Sequence, residues 1–121
     1  MNWQQFGDTY ILKLETHEEF TRELKKFCIE NGIKTASISA LGAVNSVTLG
    51  FYNTQTQTYL EQSFHRGFEL SSAIGTVQTI DGELVLHIHA TISDKDFRTY
   101  GGHLFRAITS KVIEVVIQKI E

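Results

Sequence analysis

Proline is absent from this chain of 121 residues, and cysteine, methionine and tryptophan occur once each. No apolar run approaches the ~18 continuous residues that a membrane-spanning helix requires. The lone thiol, Cys28, has no partner for an intramolecular disulfide, and a CxxC redox or zinc motif is excluded. An oxidising compartment is therefore not indicated, and the cytoplasm is the expected location. The start, MNWQQFGD, lacks the basic-then-apolar layout of a signal peptide. A basic excess is missing too. Eleven Lys and Arg stand against fourteen Asp and Glu, a formal charge of −3, and only Lys25 and Lys26 are adjacent. Attraction to a phosphate backbone should be weak. The phosphate-cradling patterns GxGxxG and GxxxxGK[ST] and the nucleophile pattern GxSxG are also absent, which leaves phosphoryl and serine-ester chemistry without a foothold.

What remains is ordinary globular material, 41% apolar and 21% charged. A chain of this length buries about two-thirds of the surface its unfolded form exposes, so residues 1–121 are read as one self-supporting domain. Residues 9–14, TYILKL, have the β-branched and aromatic character of a first strand. A helix follows. Thr16 with Glu19 three residues on forms a capping-box pattern, and Phe20, Leu24, Phe27 and Cys28 make a stripe on one helical face that ends at Asn31-Gly32. Cys28 on that stripe reads as a small buried hydrophobe rather than a nucleophile. From residue 34 the apolar period switches to two, through KTASISALGAV, SVTLGFYN, TYLEQSF, GFELSSAIGTVQTI, ELVLHIHATIS and KVIEVVIQKI, with breaks at Gly42, Asn45, Asn53 to Gln57, Gly67 and Asp81-Gly82. Asp81-Gly82 between two alternating runs marks a two-residue hairpin. LFRAITS, residues 104–110, reads equally as a short helix or a strand. The expected fold is α+β, with a central, mainly antiparallel sheet of six or seven strands and one or two helices.

The segment with the most chemistry is Leu84 to Ser93. As a strand it turns Leu84, Leu86, Ile88, Ala90 and Ile92 one way and Val85, His87, His89 and Thr91 the other. His87 and His89 then share a face at about 6.5 to 7 Å, close enough to converge on one metal ion, although a solvent-facing or hydrogen-bonded pair has the same spacing. His103 strengthens the metal reading. It follows Gly101-Gly102, and consecutive glycines permit a tight backbone path that would return its side chain to the sheet face. Three neutral imidazoles with one open position suit an accessible zinc site, or one for nickel, copper or iron. His17, in the expected first helical turn, reads as solvated, and His65 as a loop residue. Glu69, within the otherwise apolar or small-residue run GFELSSAIG, either faces water or serves as fourth ligand, outer partner of an imidazole or general base. Asp94 and Asp96 read as turn residues.

The runs ISALGAVNSVTLGFYN and GFELSSAIGTVQTIDGELVLHIHATISDKDFRTYGGHLF resemble the PPC domain, a small module of plants and prokaryotes that is fused to AT-hooks in plant nuclear proteins. The likeness spans nearly the whole chain. Its most specific parts are the apolar-His-x-His-Ala run, the acidic loop after it, and Gly101-Gly102-His103-Leu104. It implies a homotrimer, with His87, His89 and His103 as ligands of a metal, zinc first. DNA contact in the plant proteins is attributed to the AT-hook, whose Arg-Gly-Arg-Pro core a proline-free chain cannot contain. Two functions are therefore expected to compete. One is a stand-alone metal-binding trimeric module with a regulatory or DNA-associated role. The other is a small metal-dependent hydrolase or lyase acting on a small molecule, with Glu69 or an aspartate carrying the proton. A cupin-like enzyme is a weaker form of the second, because the glutamate usual four or five residues after the pair is replaced here by Ile92, Ser93 or Asp94.

Overall fold

The alternating pattern that begins at residue 34 becomes two very long strands and three shorter ones, and a helix packs against two of them. The computed structural model describes residues 1–120. In chain order its elements are β1 (Asn2–Phe6), β2 (Thr9–Glu15), α1 (Phe20–Glu30), β3 (Ala36–Asn53), β4 (Thr58–Phe64), β5 (Phe68–Ile80), β6 (Glu83–Ser93) and β7 (Thr99–Lys119). The expected α+β architecture holds. The sheet has seven strands in the order β1-β2-β7-β6-β5-β3-β4, all paired antiparallel, and β7 also pairs with β3. That extra pairing closes β3, β5, β6 and β7 into a ring. LFRAITS belongs to β7 and is strand.

Ring closure makes each long strand serve different neighbours along its length. β3 pairs with β5 over Ala36–Val44 and with β4 over Val47–Asn53, while β7 follows it from Ala36 opposite Lys119 to Gly50 opposite His103. The breaks expected at Gly42 and Asn45 are not strand ends. The β3–β7 register shifts between Gly42 and Val44, between Val44 and Ser46 and between Thr48 and Leu49, so these positions are bulges that bend one continuous strand. Gly42 has to be glycine, since a Cβ there would lie 2.2 Å from the Val112 carbonyl oxygen and 2.7 Å from the Ile113 Cα. The hairpin at Asp81-Gly82 forms as expected. Ile80 pairs with Glu83, and the two loop residues take φ of 52° and 80°, the left-handed pair that a two-residue turn needs.

The helix lays Phe20, Leu24, Phe27 and Cys28 against β7 and β6, as its stripe predicts. Burial pushes the Cys28 thiol up to about 11, which keeps it protonated and inert. Trp3 of β1 and Tyr10 of β2 pack on Phe27 at ring distances of 5.0 and 5.6 Å. β1 was not foreseen, because NWQQF is exposed at every position and carries no alternation.

Helix entry differs from the capping box expected at Thr16. The N-cap is Glu19, whose carboxylate accepts from Thr21 N at 2.9 Å and Arg22 N at 3.1 Å. Thr16 instead donates its hydroxyl to the Ser110 carbonyl. His17, with φ of 76°, is held outside the helix by its N–H to Thr109 O, and Thr109 returns its own N–H and hydroxyl to Glu18 O. The segment from Thr16 to Glu18 is spent on β7, so helix initiation passes to the next carboxylate. Glu19 also accepts from Ala107 N at 3.0 Å, so one side chain caps the helix and satisfies a β7 donor. Glu19→Ala should lower stability by about 1–3 kcal/mol, the sum of a lost cap and a stranded backbone donor. Urea unfolding checks this, and a change under ~0.5 kcal/mol would exclude the double role.

Candidate metal centre

β6 carries out the separation its alternation predicts. Ile88, Ala90 and Ile92 are buried, Leu84 and Leu86 half-buried, and Val85, His87 and His89 exposed on the opposite face. On β5, Thr76 lies opposite His87 and Ile74 opposite His89. On β7, His103 lies directly opposite His89. A cross-strand pair shares a face, so β6 supplies two imidazoles and β7 the third. Ring centroids are separated by 5.2 Å for His87–His89 and by 5.7 Å for His103 from each of the others. One nitrogen from each ring lies within 4.8 Å of the others. Side-chain rotation can close such a set to the 2.0–2.1 Å bonds of a zinc ion.

Among the described residues the buried Nδ1 of His103 has no hydrogen-bond partner and is left as an orphaned lone pair or N–H. Burial holds the His103 ring below the usual imidazole range, and His87 and His89 depress it further. Both effects favour the neutral form, the form that ligates. The donor set therefore fits a borderline-soft divalent ion.

The tight backbone path expected at the two glycines is a stretch of strand. Gly101 and Gly102 lie within β7, opposite Thr91 and Ala90, without positive φ. What Gly102 provides is proximity, since a Cβ on it would sit 2.6 Å from the Gly50 carbonyl oxygen. Gly75 does the same on β5, where a Cβ would lie 1.9 Å from the His87 carbonyl oxygen. Sequence reasoning also missed Tyr59 and Phe105, whose rings lie 5.1 and 4.7 Å from that of His103. Only the period-two pattern of TYLEQSF hinted at a face for Tyr59.

The other candidates lie elsewhere. Glu69 is exposed on β5 opposite Ser93 and Ala43, five residues from Ile74, or roughly 16 Å along the strand. It does not join the triad within one subunit, and lines instead a groove with Ala43, Ser93 and Phe97. His17 and His65 are exposed, and His65 Nδ1 lies 3.2 Å from Ser46 Oγ. Asp94 is a buried turn residue. Its Oδ1 accepts from Asp96 N at 2.9 Å and Arg98 N at 3.0 Å, and Arg66, stacked over Phe68, approaches its other oxygen at 3.6 Å. Asp96 is exposed.

The model of the Plants and Prokaryotes Conserved (PCC) domain matches residues 1–121. The chain belongs to this family. Among solved structures, a candidate DNA-binding protein from Bacteroides thetaiotaomicron superposes with a TM-score of 0.96 at 31% identity, covering 99% of this chain and 84% of that one. A plant- and prokaryote-conserved (PPC) protein from Pyrococcus horikoshii gives 0.89 at 28% identity, over 99% and 81%. A metal-containing protein from Archaeoglobus fulgidus gives 0.88 at 32% identity, over 98% and 84%. No curated protein matches the sequence. Among the described residues no helix is long and apolar enough to cross a membrane.

Asp94 generates a pH prediction. Burial opposes its charge, but the two backbone donors and then Arg66 and Arg98 outweigh that and hold the carboxyl below its ordinary range. A carboxyl depressed on folding stabilises above its unfolded pKa of about 3.9, and that contribution is lost as pH falls through the folded value. Wild type should thus exceed Asp94→Asn in stability by a constant margin at neutral pH, with the margin closing in acid. Urea melts from pH 7 to pH 2 test this, and a margin independent of pH would contradict it.

Proposed function

We propose that this PCC-domain chain is a metal-binding module, with His87, His89 and His103 holding one divalent transition ion, zinc first, in a homotrimer with a regulatory or DNA-associated role. The observation that carries the reading is the convergence of three imidazoles from two strands, one nitrogen of each within 4.8 Å of the others. Support comes also from the metal-containing relative at 32% identity. When bound, such an ion supplies Lewis acidity and one exchangeable position to a ligand. The chain's own part is to present three neutral imidazoles on an open sheet face. His87 and His89 are spaced by the strand repeat, and His103 is set beside His89 by the β6–β7 register.

A trimer accords with the surface. Leu41, Ile74, Ile80 and Val85 are between 40% and 60% exposed, and such side chains in number suit a partner copy. For DNA, the −3 charge argues for association through another protein rather than direct grip on phosphates. The hydrolase or lyase reading keeps the open coordination position but loses Glu69 as its proton carrier within one subunit.

Native mass spectrometry of protein purified without chelator reads both parts at once. The expected spectrum is a trimer carrying about one ion per subunit, and His89→Ala should keep its fold and lose the ion. A wild-type trimer without metal would remove the ligand assignment, as would a His89→Ala variant that retains the full complement.

A further inference from the structure

The three imidazoles are held in different ways. A ligating histidine is ordinarily aimed by a hydrogen bond at its second ring nitrogen. Among the described residues the one hydrogen-bonded histidine ring is that of His65, so the triad's orientation falls to the backbone and to packing. His87 and His89 are exposed and spaced by β6 itself. His103, from a different strand, is the ligand that most needs an external support. It has one. Phe105 packs on it at 4.7 Å and an interplanar angle of 59°, Tyr59 at 5.1 Å and 46°, and these two rings meet edge to face at 5.2 Å.

Tyr59 belongs to β4, and between β4 and His103 runs β3. The residue of β3 at this crossing is Gly50, opposite His103 on one side and Glu61 on the other. A Cβ on Gly50 would fall 2.4 Å from Phe105 Cε2, 3.1 Å from Phe105 Cζ and 3.1 Å from Tyr59 Cδ1. Both rings thus occupy the volume that a side chain at position 50 would fill. Glycine inside a strand weakens it and commonly marks a place where something must come close. Here that something is the aromatic wall behind His103.

We propose that Gly50 is a positioning residue for the metal centre: having no side chain, it lets Tyr59 and Phe105 close over β3 and fix the ring of His103 against the His87–His89 pair. The inference rests on the metal reading above. The wall takes the place of the missing hydrogen bond, so removing it should cost affinity on the scale of an outer partner, about 10- to 100-fold. The atoms that meet the new methyl are the far edges of two rings rather than backbone, so Gly50→Ala should fold and shift the rings.

The test uses the full chain and two readouts. In metal-free protein, the His103 ring protons should resonate at positions displaced by the Tyr59 and Phe105 ring currents, and Gly50→Ala and Phe105→Ala should bring them toward those of His87 and His89. With Co2+ as the probe, visible absorption and chelator competition should show affinity falling at least about tenfold in both variants. Tyr59→Phe, which keeps the ring, should preserve both readouts. Gly50→Ala with unchanged Co2+ affinity and spectrum would overturn the proposal. So would a Tyr59→Phe loss as large as that of Gly50→Ala, because the phenol oxygen and not the ring would then be acting. Wild type that takes up no Co2+ would overturn the metal reading, an outcome the metal-free ring shifts keep separate from failure of the wall.

Discussion

Two long strands that stay paired over most of their length while each changes its neighbour on the far side cannot stay straight. β3 passes from β5 to β4, β7 passes from β6 to β2, and the two follow one another from Ala36 opposite Lys119 to Gly50 opposite His103. Closing such a ring requires tight coiling, and coiling brings backbone against backbone. Gly42, Gly75 and Gly102 stand at three of those contacts, where a Cβ would come within 2.2, 1.9 and 2.6 Å of a carbonyl oxygen. Two of the three adjoin the histidines. Gly75 abuts the His87 carbonyl, and Gly102 immediately precedes His103, so the closure of the ring and the assembly of the triad are one geometric event.

The triad is therefore a by-product of topology that the side chains then refine. β6 alone could offer two imidazoles, but only the β6–β7 pairing brings a third into register, and only His103 is partly withdrawn from water. Among the described residues no carboxylate shares the cluster, so an ion bound there would keep its double charge and take the chain's formal −3 to about −1. A region that binds DNA by charge would need far more than that change supplies.

Much of this was legible in the sequence where one local period carried the information. The alternation across Leu84–Ser93 placed His87 and His89 correctly, the stripe of Phe20, Leu24, Phe27 and Cys28 located the helix face, and Asp81-Gly82 gave a turn with its conformation. Breaks inside long strands were misread because a bulge and a strand end present the same glycine or asparagine, and only the partner strand tells them apart. The Thr16 cap failed for a similar reason. Its hydroxyl had a competing acceptor, the Ser110 carbonyl, 94 residues away in sequence. Glu69, which interrupts an apolar run, was read as either water-facing or a site residue, and the strand turns it outward. Phe105 shares the face of His103 two residues along β7, but Tyr59 and Gly50 meet that ring only through the pairing of β4, β3 and β7.

The Thr9 hydroxyl donates to Gln118 across 109 residues of chain, and β7 pairs with β2, β3 and β6, all of which precede it. Almost nothing in the sheet's closure is local. Chains with such separated contacts fold on the millisecond-to-second scale, because loop entropy must be surrendered before distant pairings compensate it. Until β7 docks, the inner edges of β2, β3 and β6 lie open together, and the molecule's interval of greatest vulnerability to misassociation is the wait for that one strand.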